Sequence, residues 1–380
     1  MKTLRIIIFL VLTGFLATAC QSDDEQTAIV EPGEQTAVKF ELDASALKYS
    51  ITDSKLKFSP SYTKDGFRVY AFRQVPGSSD YLFEKVINHA NMTYSASDKK
   101  LVGTDLLTIG TYKFLCAYGV EQTGVVTLPT WAGKVLTNDF IMQYNGTAAL
   151  GEIFLEDTDV NTLTSYPLGL TSATNPTVTA TLKRAVSRID VMFFKGKKEG
   201  NSYTELPYTN GNNVFGMKTL ETLQLRYKDL NSTIDFFGNY VSAPVLSNVN
   251  VNLANFNNIV TIGTAGATTV GNDDYTKYDN VEEGDMIKGA AHVFGNYVIP
   301  NEDDAKTASL EIYIKPMAGE GRTITLAEKL PMEQNKVTLV KIYVIDNGGD
   351  EPDVFTTNVR FEVEIETVWD GSNEVTGEIN

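Results

Sequence analysis

The sequence predicts an all-β protein made of antiparallel β-sandwiches in two tandem domains. Short runs that alternate apolar and polar residues, rich in Val, Ile, Thr, Tyr and Phe, are typical of half-buried strands. Gly, Asn, Asp and Pro interrupt these runs, and no window shows the 3.6-residue apolar stripe of a long helix. The chain has 380 residues, more than one hydrophobic core ordinarily serves, so two domains are expected.

Nine runs carry the alternation most clearly, and each is expected to form a strand. In chain order they are 38–42, 67–72, 112–118, 188–194, 220–227, 308–314, 322–326, 336–344 and 359–368. Residues 81–90 fit a short helix or a helical turn instead. Many short strands with Gly- and Asn-rich turns favour sandwiches, and the lack of a fixed-period repeat argues against a solenoid or a propeller.

The N-terminus has the composition of a secretory signal peptide over residues 1–19. Lys2 and Arg5 precede an apolar run that is too short to span a bilayer as a helix. The small residues that follow lead into Cys20 and resemble a bacterial lipobox, in which the cysteine is lipidated and becomes the first mature residue. The acidic residues 23–25 resemble the surface-export signal of Bacteroidota lipoproteins. We expect a lipid anchor on Cys20, with trimming after ordinary export as the alternative.

The rest of the chain divides into three predicted parts. Residues 20–37 are polar and are expected to be a flexible tether. The first sandwich is expected at 38–177 and the second at 178–380, with the boundary near Asn175–Pro176, because residues 157–177 have the composition of a loop.

Charge and cysteine content narrow the class of partner. Without residues 1–19 the chain has 30 Lys and Arg against 48 Asp and Glu, a net charge of −18. This charge disfavours nucleic acid as a partner, and it disfavours anionic head groups as well. Once Cys20 is lipidated, Cys116 is the only thiol left, so no intrachain disulfide forms. The apolar run around Cys116 predicts a buried, unreactive thiol.

Residue patterns for chemistry are scarce, and no catalytic residue, cofactor or metal is expected. His89 and His292 lie far apart, and no zinc, nucleotide or serine-hydrolase motif is present. The acidic loops 157–161 and 346–353 could gather around calcium. The first lacks the Gly and the Glu that an EF-hand needs, and solvated loop charges are the favoured interpretation of both. Trp131 and Trp369 are expected to pack in a core or anchor strand ends.

Four segments of the second half follow one another in an order known from one family. They are T-L-K-R-A-V-S-R-I-D-V at 181–191, V-F-G-N-Y-V-I-P-N at 293–301, the run 330–344 and the run 363–370. In this order they resemble the fimbrillin families of Bacteroidota, and 67–72 and 106–119 also fit. The resemblance implies two transthyretin-like β-sandwich domains, export as a lipoprotein to the outer membrane and cell surface, and assembly into a type V fimbria.

In that family a protease removes the first strand, and a strand of a neighbouring subunit fills the groove. Here the removable strand would be Val38–Leu42 or its continuation to Ile51. The donor would be the last strand, whose apolar face carries Phe361, Val363 and Ile365. An ordinary edge strand of the second sandwich is the open alternative for this segment.

The processing site is less well defined by the resemblance. Cleavage in the family often follows Arg, yet no Arg lies between Arg5 and Arg68, and Lys48 is the nearest basic candidate. Without such a cut the chain would be an anchor or accessory subunit that keeps its lipid.

The leading function is therefore a structural, non-enzymatic fimbrial subunit that supports cell adhesion. Its partners would be other fimbrial subunits, the outer membrane and a host or bacterial surface ligand. The alternative is a surface glycan-binding lipoprotein of a polysaccharide-uptake system, which would expose several aromatic side chains on one rim. A glycosidase is the third possibility and would need two facing carboxylates in a cleft.

Overall fold

The structure is a computed structural model, and it describes most of the chain between residues 33 and 369. The described residues are 33–43, 57–58, 63–95, 97–98, 100–137, 140–146, 148–156, 168–172, 176–209, 212–216, 218–228, 230–238, 245–246, 249–252, 259–261, 268–269, 278–279, 289–293, 297–300, 309–326, 330, 332–345, 351–356 and 359–369.

Strands dominate the first half. The chain up to residue 184 contains the strands β1 (Gln35–Asp43), β2 (Lys57–Phe58), β3 (Phe67–Gln74), β4 (Tyr81–Val86), β5 (Met92–Ser95), β6 (Lys100–Thr108), β7 (Gly110–Tyr118), β8 (Val126–Thr127), β9 (Ile141–Tyr144), β10 (Phe154–Glu156), β11 (Leu168–Leu170) and β12 (Thr177–Arg184). Two short 3-10 helices, Lys64–Gly66 and His89–Asn91, are the helical segments among its described residues.

The second half is also built from strands. It contains β13 (Ser187–Glu199), β14 (Ser202–Leu206), β15 (Leu220–Lys228), β16 (Leu230–Asn231), β17 (Thr233–Asp235), β18 (Val245–Leu246), β19 (Val249–Asn252), β20 (Ile259–Thr261), β21 (Thr268–Thr269), β22 (Tyr278–Asp279), β23 (Ala291–Val293), β24 (Tyr297–Val298), β25 (Ser309–Pro316), β26 (Arg322–Thr325), β27 (Lys336–Ile345) and β28 (Arg360–Trp369). Within the described residues, no helix is long and apolar enough to cross a membrane.

The first half forms a nine-stranded sheet that encloses its own core. The strand order is β4-β3-β7-β10-β12-β1-β6-β5, with β11 beside β7. Phe40 of β1 contacts Phe114 of β7 edge to face, with ring centroids 5.6 Å apart. Phe67 of β3 lies 5.7 Å from Tyr94 of β5. Distant strands of one sheet therefore face each other across a shared apolar interior.

In the second half, two sheets supply alternating apolar side chains to one core. One has the order β21-β20-β23-β13-β27-β28, with β14 and β24 also beside β13, and the other has the order β19-β15-β25-β26. Strand β25 alternates strictly between half-buried and buried residues, and its buried Ile312 and Ile314 share a core with Val191 of β13 and Val340 of β27. The alternation is what a strand with one solvated face requires.

The two halves contact each other through a common buried cluster and through one pair of strands. Tyr70 and Leu155, on the outer face of the first sheet, belong to the same buried cluster as Ile189 and Val191 of β13. Strand β17 of the second half pairs with β9 of the first. The chain leaves the first sheet after β12 and enters β13 through the buried Ala185–Val186. The division into domains at 177/178 stays a prediction.

The predicted all-β class is confirmed, and all nine predicted strands are present. Two pairings depart from an antiparallel arrangement, because β1 runs parallel to β12 and β13 runs parallel to β27. The helical expectation for residues 81–90 is wrong for 81–86. There β4 pairs with β3 and buries Tyr81, and only His89–Asn91 forms a helical turn, where the Asn88 side chain accepts a bond from Ala90 N.

Candidate functional site

The first candidate site is the position of β1 inside the first sheet. All nine residues of β1 pair antiparallel with β6, from Gln35 opposite Thr108 to Asp43 opposite Lys100. On the other side, Lys39–Asp43 pair parallel with β12. Because both edges of β1 are paired, its removal would leave two rows of unpaired backbone groups. The space between β6 and β12 that β1 fills is called the slot below.

The inner face of β1 is fully enclosed by the core. Val38, Phe40 and Leu42 have no exposed surface, and Thr36 is also buried. Burial of each large apolar side chain contributes about 1.5–3 kcal/mol, so β1 is a main source of the first core's stability. An empty slot would expose the walls that these side chains cover.

The outer face of β1 is in contact with solvent. Lys39 Nζ lies 2.5 Å from Glu41 Oε1, and both side chains are partly exposed. The hydrogen bond and the charge of Lys39 lower the pKa of the Glu41 carboxyl. Exposed pairs of this kind add little to stability, so the inner face determines how tightly β1 is held.

Two predicted residues of the export and processing pathway lie outside the described residues. Cys20 is in the undescribed stretch before residue 33, and Lys48 follows β1 in the undescribed stretch 44–56. The structure therefore locates the strand that cleavage at Lys48 would release, while lipidation and cleavage stay predictions.

The predicted donor strand lies at a sheet edge in this chain. Strand β28 pairs antiparallel with β27 along all ten residues, with Val363 opposite Ile342 and Ile365 opposite Val340. Among the described residues β27 is its one neighbour. The side chains of Val363 and Ile365 lie outside the described part, whereas Phe361 is partly buried against the second core.

Arg322 holds the beginning of β28 in place. Its guanidinium donates to the carbonyl oxygens of Thr356 (2.5 Å) and Val359 (3.2 Å) and lies 4.4 Å from the centroid of the Phe361 ring. Burial lowers the pKa of Arg322, although the charge of Asp353 opposes the shift. An arginine that bonds carbonyls and covers an aromatic face fixes the entry of the strand by geometry.

The second candidate site is a partly buried polar cluster between the halves, formed by Glu152, Arg184, Tyr297 and Asn335 and called the junction cluster below. Arg184 donates to Glu152 Oε1 from Nη2 (2.9 Å) and Nε (3.1 Å), and to Asn335 Oδ1 from Nη1 (3.1 Å). The Tyr297 hydroxyl donates to the same Glu152 oxygen at 2.6 Å. Arg184 is 3% exposed and Glu152 11%, so solvent screens this pair weakly.

The junction cluster brings together residues from separate segments of the sequence. Arg184 comes from the segment 181–191, Tyr297 from 293–301 and Asn335 from 330–344. Asn335 has a positive φ of 60° and donates its backbone N–H to Val186 O, a conformation that Asn tolerates better than most residues. Beside the cluster, Arg188 binds the buried Asp190 through two hydrogen bonds of 2.7 and 3.2 Å.

The buried titratable groups of the first core show no catalytic arrangement. The prediction that Cys116 is buried is confirmed, and burial, with the nearby Glu156, raises the pKa of its thiol well above the ordinary value. Burial also raises the pKa of Glu156 to about 8, and Glu156 Oε1 has no hydrogen-bond partner. Among the described residues, Cys116 and Glu156 have no base and orienting group of the kind that nucleophilic catalysis needs.

The two histidines and the acidic loops show no catalytic or metal-binding arrangement where the structure describes them. His89 Nε2 lies 3.6 Å from Asp65 Oδ1 at the surface, and the side chain of His292 is outside the described part. The acidic residues 157–161 and 346–350 also lie outside it. Glu351 accepts a hydrogen bond from Lys195 Nζ at 2.8 Å, and no group of three metal-ligating side chains occurs among the described residues.

Aromatic side chains are withdrawn from solvent throughout the described residues. Trp131 stacks on Tyr70 and Phe140, with centroids 4.2 and 4.9 Å apart, and packs against the shared core as expected. The side chain of Trp369 is outside the described part. No aromatic side chain that the structure describes is in the exposed class. The aromatic rim expected of a glycan-binding surface is thus not found in this part of the chain.

Comparison with known proteins gives matches in structure alone. No family model and no curated protein matches the chain. A candidate adhesin from Bacteroides thetaiotaomicron is 11% identical, with a TM-score of 0.45 over 90% of this chain and 99% of that one. A candidate cell adhesion protein from Bacteroides uniformis is 10% identical, with a TM-score of 0.39 over 87% and 98%. The fimbrial anchor protein Mfa2 from Porphyromonas gingivalis is 12% identical, with a TM-score of 0.38 over 87% and 97%.

These three neighbours are two candidate adhesion proteins and a fimbrial anchor protein, all from Bacteroidota.

Proposed function

We propose that this chain is a structural subunit of a type V fimbria at the cell surface. It is exported as a lipoprotein anchored through Cys20 to the outer membrane, loses β1 by cleavage near Lys48, and joins other fimbrial subunits by strand exchange to support adhesion. It carries out no catalysis.

The observation that carries this proposal is that β1 is a central, buried strand located at the beginning of the described chain. It is a central strand that supplies Val38, Phe40 and Leu42 to the core, yet it lies at the beginning of the described chain. A central strand near the end of a chain can be cut away without dividing the rest of the fold. Its loss would create a linear site with backbone groups on both sides and an apolar floor, which another extended segment fits.

The chemistry of an open slot favours assembly over a free monomer. The unpaired backbone groups of β6 and β12, and the apolar side chains that faced Phe40, would raise the free energy of the monomer when exposed to water. A donated strand restores both the backbone hydrogen bonds and the burial of apolar side chains. The same two interactions that stabilised β1 in the sheet would therefore stabilise the donated strand. Strand exchange therefore needs no cofactor and no energy source beyond the removal of β1.

The glycan-binding alternative receives no supporting observation from the described residues. An exposed set of aromatic side chains would favour it, and the described aromatics are buried or half-buried. A glycosidase would need two facing carboxylates. Glu152 binds Arg184 and Tyr297, and Glu156 is enclosed without a second carboxylate in its described surroundings.

N-terminal sequencing and mass spectrometry of surface protein from cells test the proposal. We expect a lipidated form that begins at Cys20 and, in fibres, a form that begins after Lys48 and lacks residues 35–43. Cys20→Ala should abolish acyl labelling and release the protein from the outer-membrane fraction, and Lys48→Ala should retain β1. Lys134→Ala, at an exposed loop position, is the matched control and should behave as wild type. Fibres composed of chains that retain residues 35–43 would contradict the proposal.

A further inference from the structure

The outer edge of β4 is covered by a short segment of the same chain. In the first sheet β4 is an end strand, and β3 is its one neighbouring strand among the described strands. Trp131–Leu136, called the guard segment below, runs along the beginning of its other edge. Phe83 N donates to Lys134 O at 2.9 Å. Leu136 N donates to Tyr81 O at 2.7 Å. The guard segment therefore binds backbone groups that an edge strand otherwise leaves free.

We infer that the guard segment keeps the chain monomeric, because it closes the edge of β4 against pairing with β4 of a second copy. The inference goes beyond the proposed function, which concerns the slot. Four strands, β3, β7, β10 and β12, lie between β4 and β1 in the sheet. The guard segment and the slot are thus separate parts of the first half, and they can be tested separately.

The edge of β4 is complementary to itself. The groups that the guard segment binds are the carbonyl oxygen of Tyr81 and the N–H of Phe83, on either side of Leu82. If two copies of β4 met antiparallel with Leu82 opposite Leu82, each Tyr81 oxygen would accept from the Phe83 N–H of the other copy. A twofold axis at Leu82 would satisfy all four groups, as in an isologous interface. The guard segment and a second copy therefore compete for the same two groups.

A half-buried aromatic anchor holds the guard segment in place. The Trp131 ring stacks on Tyr70 and Phe140, and it contacts Phe236 edge to face with centroids 5.0 Å apart. The carbonyl oxygen of Trp131 accepts from Lys134 N at 3.0 Å, so a tight turn directs the rest of the segment along β4. The packing of this ring in the shared core keeps the segment beside β4, although two backbone bonds alone join them.

Charged side chains protect the remainder of the same strand. Lys85 Nζ lies 3.0 Å from Asp105 Oδ2 of β6, and Glu84 accepts a hydrogen bond from the Tyr112 hydroxyl at 2.7 Å. Charges and loop covers are two devices by which sheet edges avoid pairing. Residues 81–83 are apolar and β-prone and carry no charge, so they are the stretch most ready to pair. The guard segment covers this stretch.

Proline substitution tests the inference, because proline has no backbone N–H. Leu136→Pro removes the donor to Tyr81 O and opens the guard segment. Val135→Pro is the matched control, since the N–H at this position takes no part in either bond to β4. Both are made in the unprocessed protein carrying Cys20→Ala, whose slot is filled by β1. Size-exclusion chromatography with light scattering measures association, and circular dichroism measures folding.

We expect Leu136→Pro to stay folded and to form a dimer, with a dimer fraction at least tenfold that of Val135→Pro at the same concentration. Leu82→Cys, added to both variants, identifies the contact, because two cysteines facing each other at a twofold axis can form a disulfide. Cys116 is buried and common to all variants. A folded Leu136→Pro chain that stays monomeric would overturn the inference. A dimer without the Leu82→Cys disulfide would overturn β4 as the contact.

A disulfide lock decides the case in which Leu136→Pro does not fold. Leu82 lies opposite Val135 in an antiparallel bridge, so Leu82→Cys with Val135→Cys should close the guard segment until a reductant opens it. On warming below the unfolding midpoint, the reduced chain should associate and the oxidised chain should stay monomeric. Equal association of the two forms would overturn the inference. The proposed function would stand in that case, because it fails only if fibres retain residues 35–43.

Discussion

Strands β1 and β28 have nearly the same pattern of side chains, but β1 is central in its sheet and β28 has one neighbouring strand among the described residues. Strand β1 is paired on both sides and buries its whole inner face. Strand β28 is paired with β27 alone among the described residues, and its Phe361 is only partly buried. We therefore expect β1 to be held more strongly than β28, because it has two neighbouring strands and a fully buried inner face, although the side-chain patterns are alike.

The largest expected difference concerns the two phenylalanines. Phe40→Ala should lower the free energy of unfolding of the unprocessed protein by about 3–5 kcal/mol, because it opens a cavity in a closed core. Phe361→Ala should cost about 1–2 kcal/mol, because less apolar surface is lost at a half-buried site. Urea titration of both variants measures the difference. Equal losses would mean that the two strands are held alike.

A second contrast lies between the arginines that serve the two regions. Arg184 ends β12, the parallel neighbour of β1, and binds Glu152 and Asn335 in the junction cluster. Arg184→Met should lower the free energy of unfolding by about 3 kcal/mol, because Glu152 loses a buried partner. Arg322→Met, at the start of β28, should cost about 1 kcal/mol, because it leaves carbonyls near solvent rather than a charge. Thermal unfolding of both variants measures which substitution destabilises the protein more. A larger loss of stability with Arg322→Met than with Arg184→Met would contradict the prediction.

Two carboxyls on opposite faces of the first sheet should respond to pH in opposite directions. Burial raises the pKa of Glu156 to about 8. Between about pH 4.5 and pH 8 the unfolded chain has lost this proton and the folded chain keeps it, so the contribution of Glu156 to stability falls as pH rises. Glu41, whose pKa is lowered by the hydrogen bond and charge of Lys39, contributes stability that is lost as pH falls.

Glu156→Gln should therefore raise the free energy of unfolding at pH 8 by about 2 kcal/mol and leave it unchanged at pH 4. Glu41→Gln is the matched control and should produce no comparable gain at pH 8. Denaturant titrations at the two pH values measure this. A gain for Glu156→Gln that is the same at both pH values would show that its ionisation is not responsible.

The smallest expected effect on the monomer is that of Ile365→Asp in β28. An edge strand with one neighbour tolerates a charge better than a central strand, so the variant should stay folded and soluble. A charge on the face that Ile365 shares with Phe361 in the alternating sequence should nevertheless block insertion into the slot and abolish fibres. Glu364→Gln, on the other face, should assemble normally. Circular dichroism measures whether the monomer is folded, and electron microscopy shows whether fibres form. Unfolding of the Ile365→Asp monomer would show that β28 is needed for the core of its own chain.

Sequence patterns were sufficient for the long strands and insufficient for their pairing. Strand β25 has one buried and one half-buried face along its whole length, and alternation reports that directly. The helical expectation for residues 81–86 was wrong because Leu82, Phe83 and Val86 fit a helical spacing as well as a strand. Pairing with β3 decides between the two. The parallel pairing of β1 with β12 joins residues that are more than 130 positions apart, which no local pattern encodes.

The candidate sites show the same limit. The motif that contains Arg184 and Arg188 was recognised, but its role depends on Glu152, Tyr297 and Asn335, which are brought together only by the fold. Glu152 carried no signal of its own, because a single Glu near Gly151 is ordinary in sequence. The removable strand, in contrast, was expected at Val38–Leu42 or its continuation to Ile51 from the resemblance alone, and the structure adds that β1 is central in its sheet.

Hydrogen–deuterium exchange of the monomer and the fibre, followed by mass spectrometry, tests the central claim most directly. In the unprocessed monomer, amides of residues 35–43 should exchange among the slowest, and those of residues 360–369 should exchange faster, because an edge strand opens locally at lower cost. In the fibre, residues 35–43 should be absent, and residues 360–369 should become as slow as β1 had been. Retention of residues 35–43 in the fibre, with unchanged exchange in residues 360–369, would contradict the account.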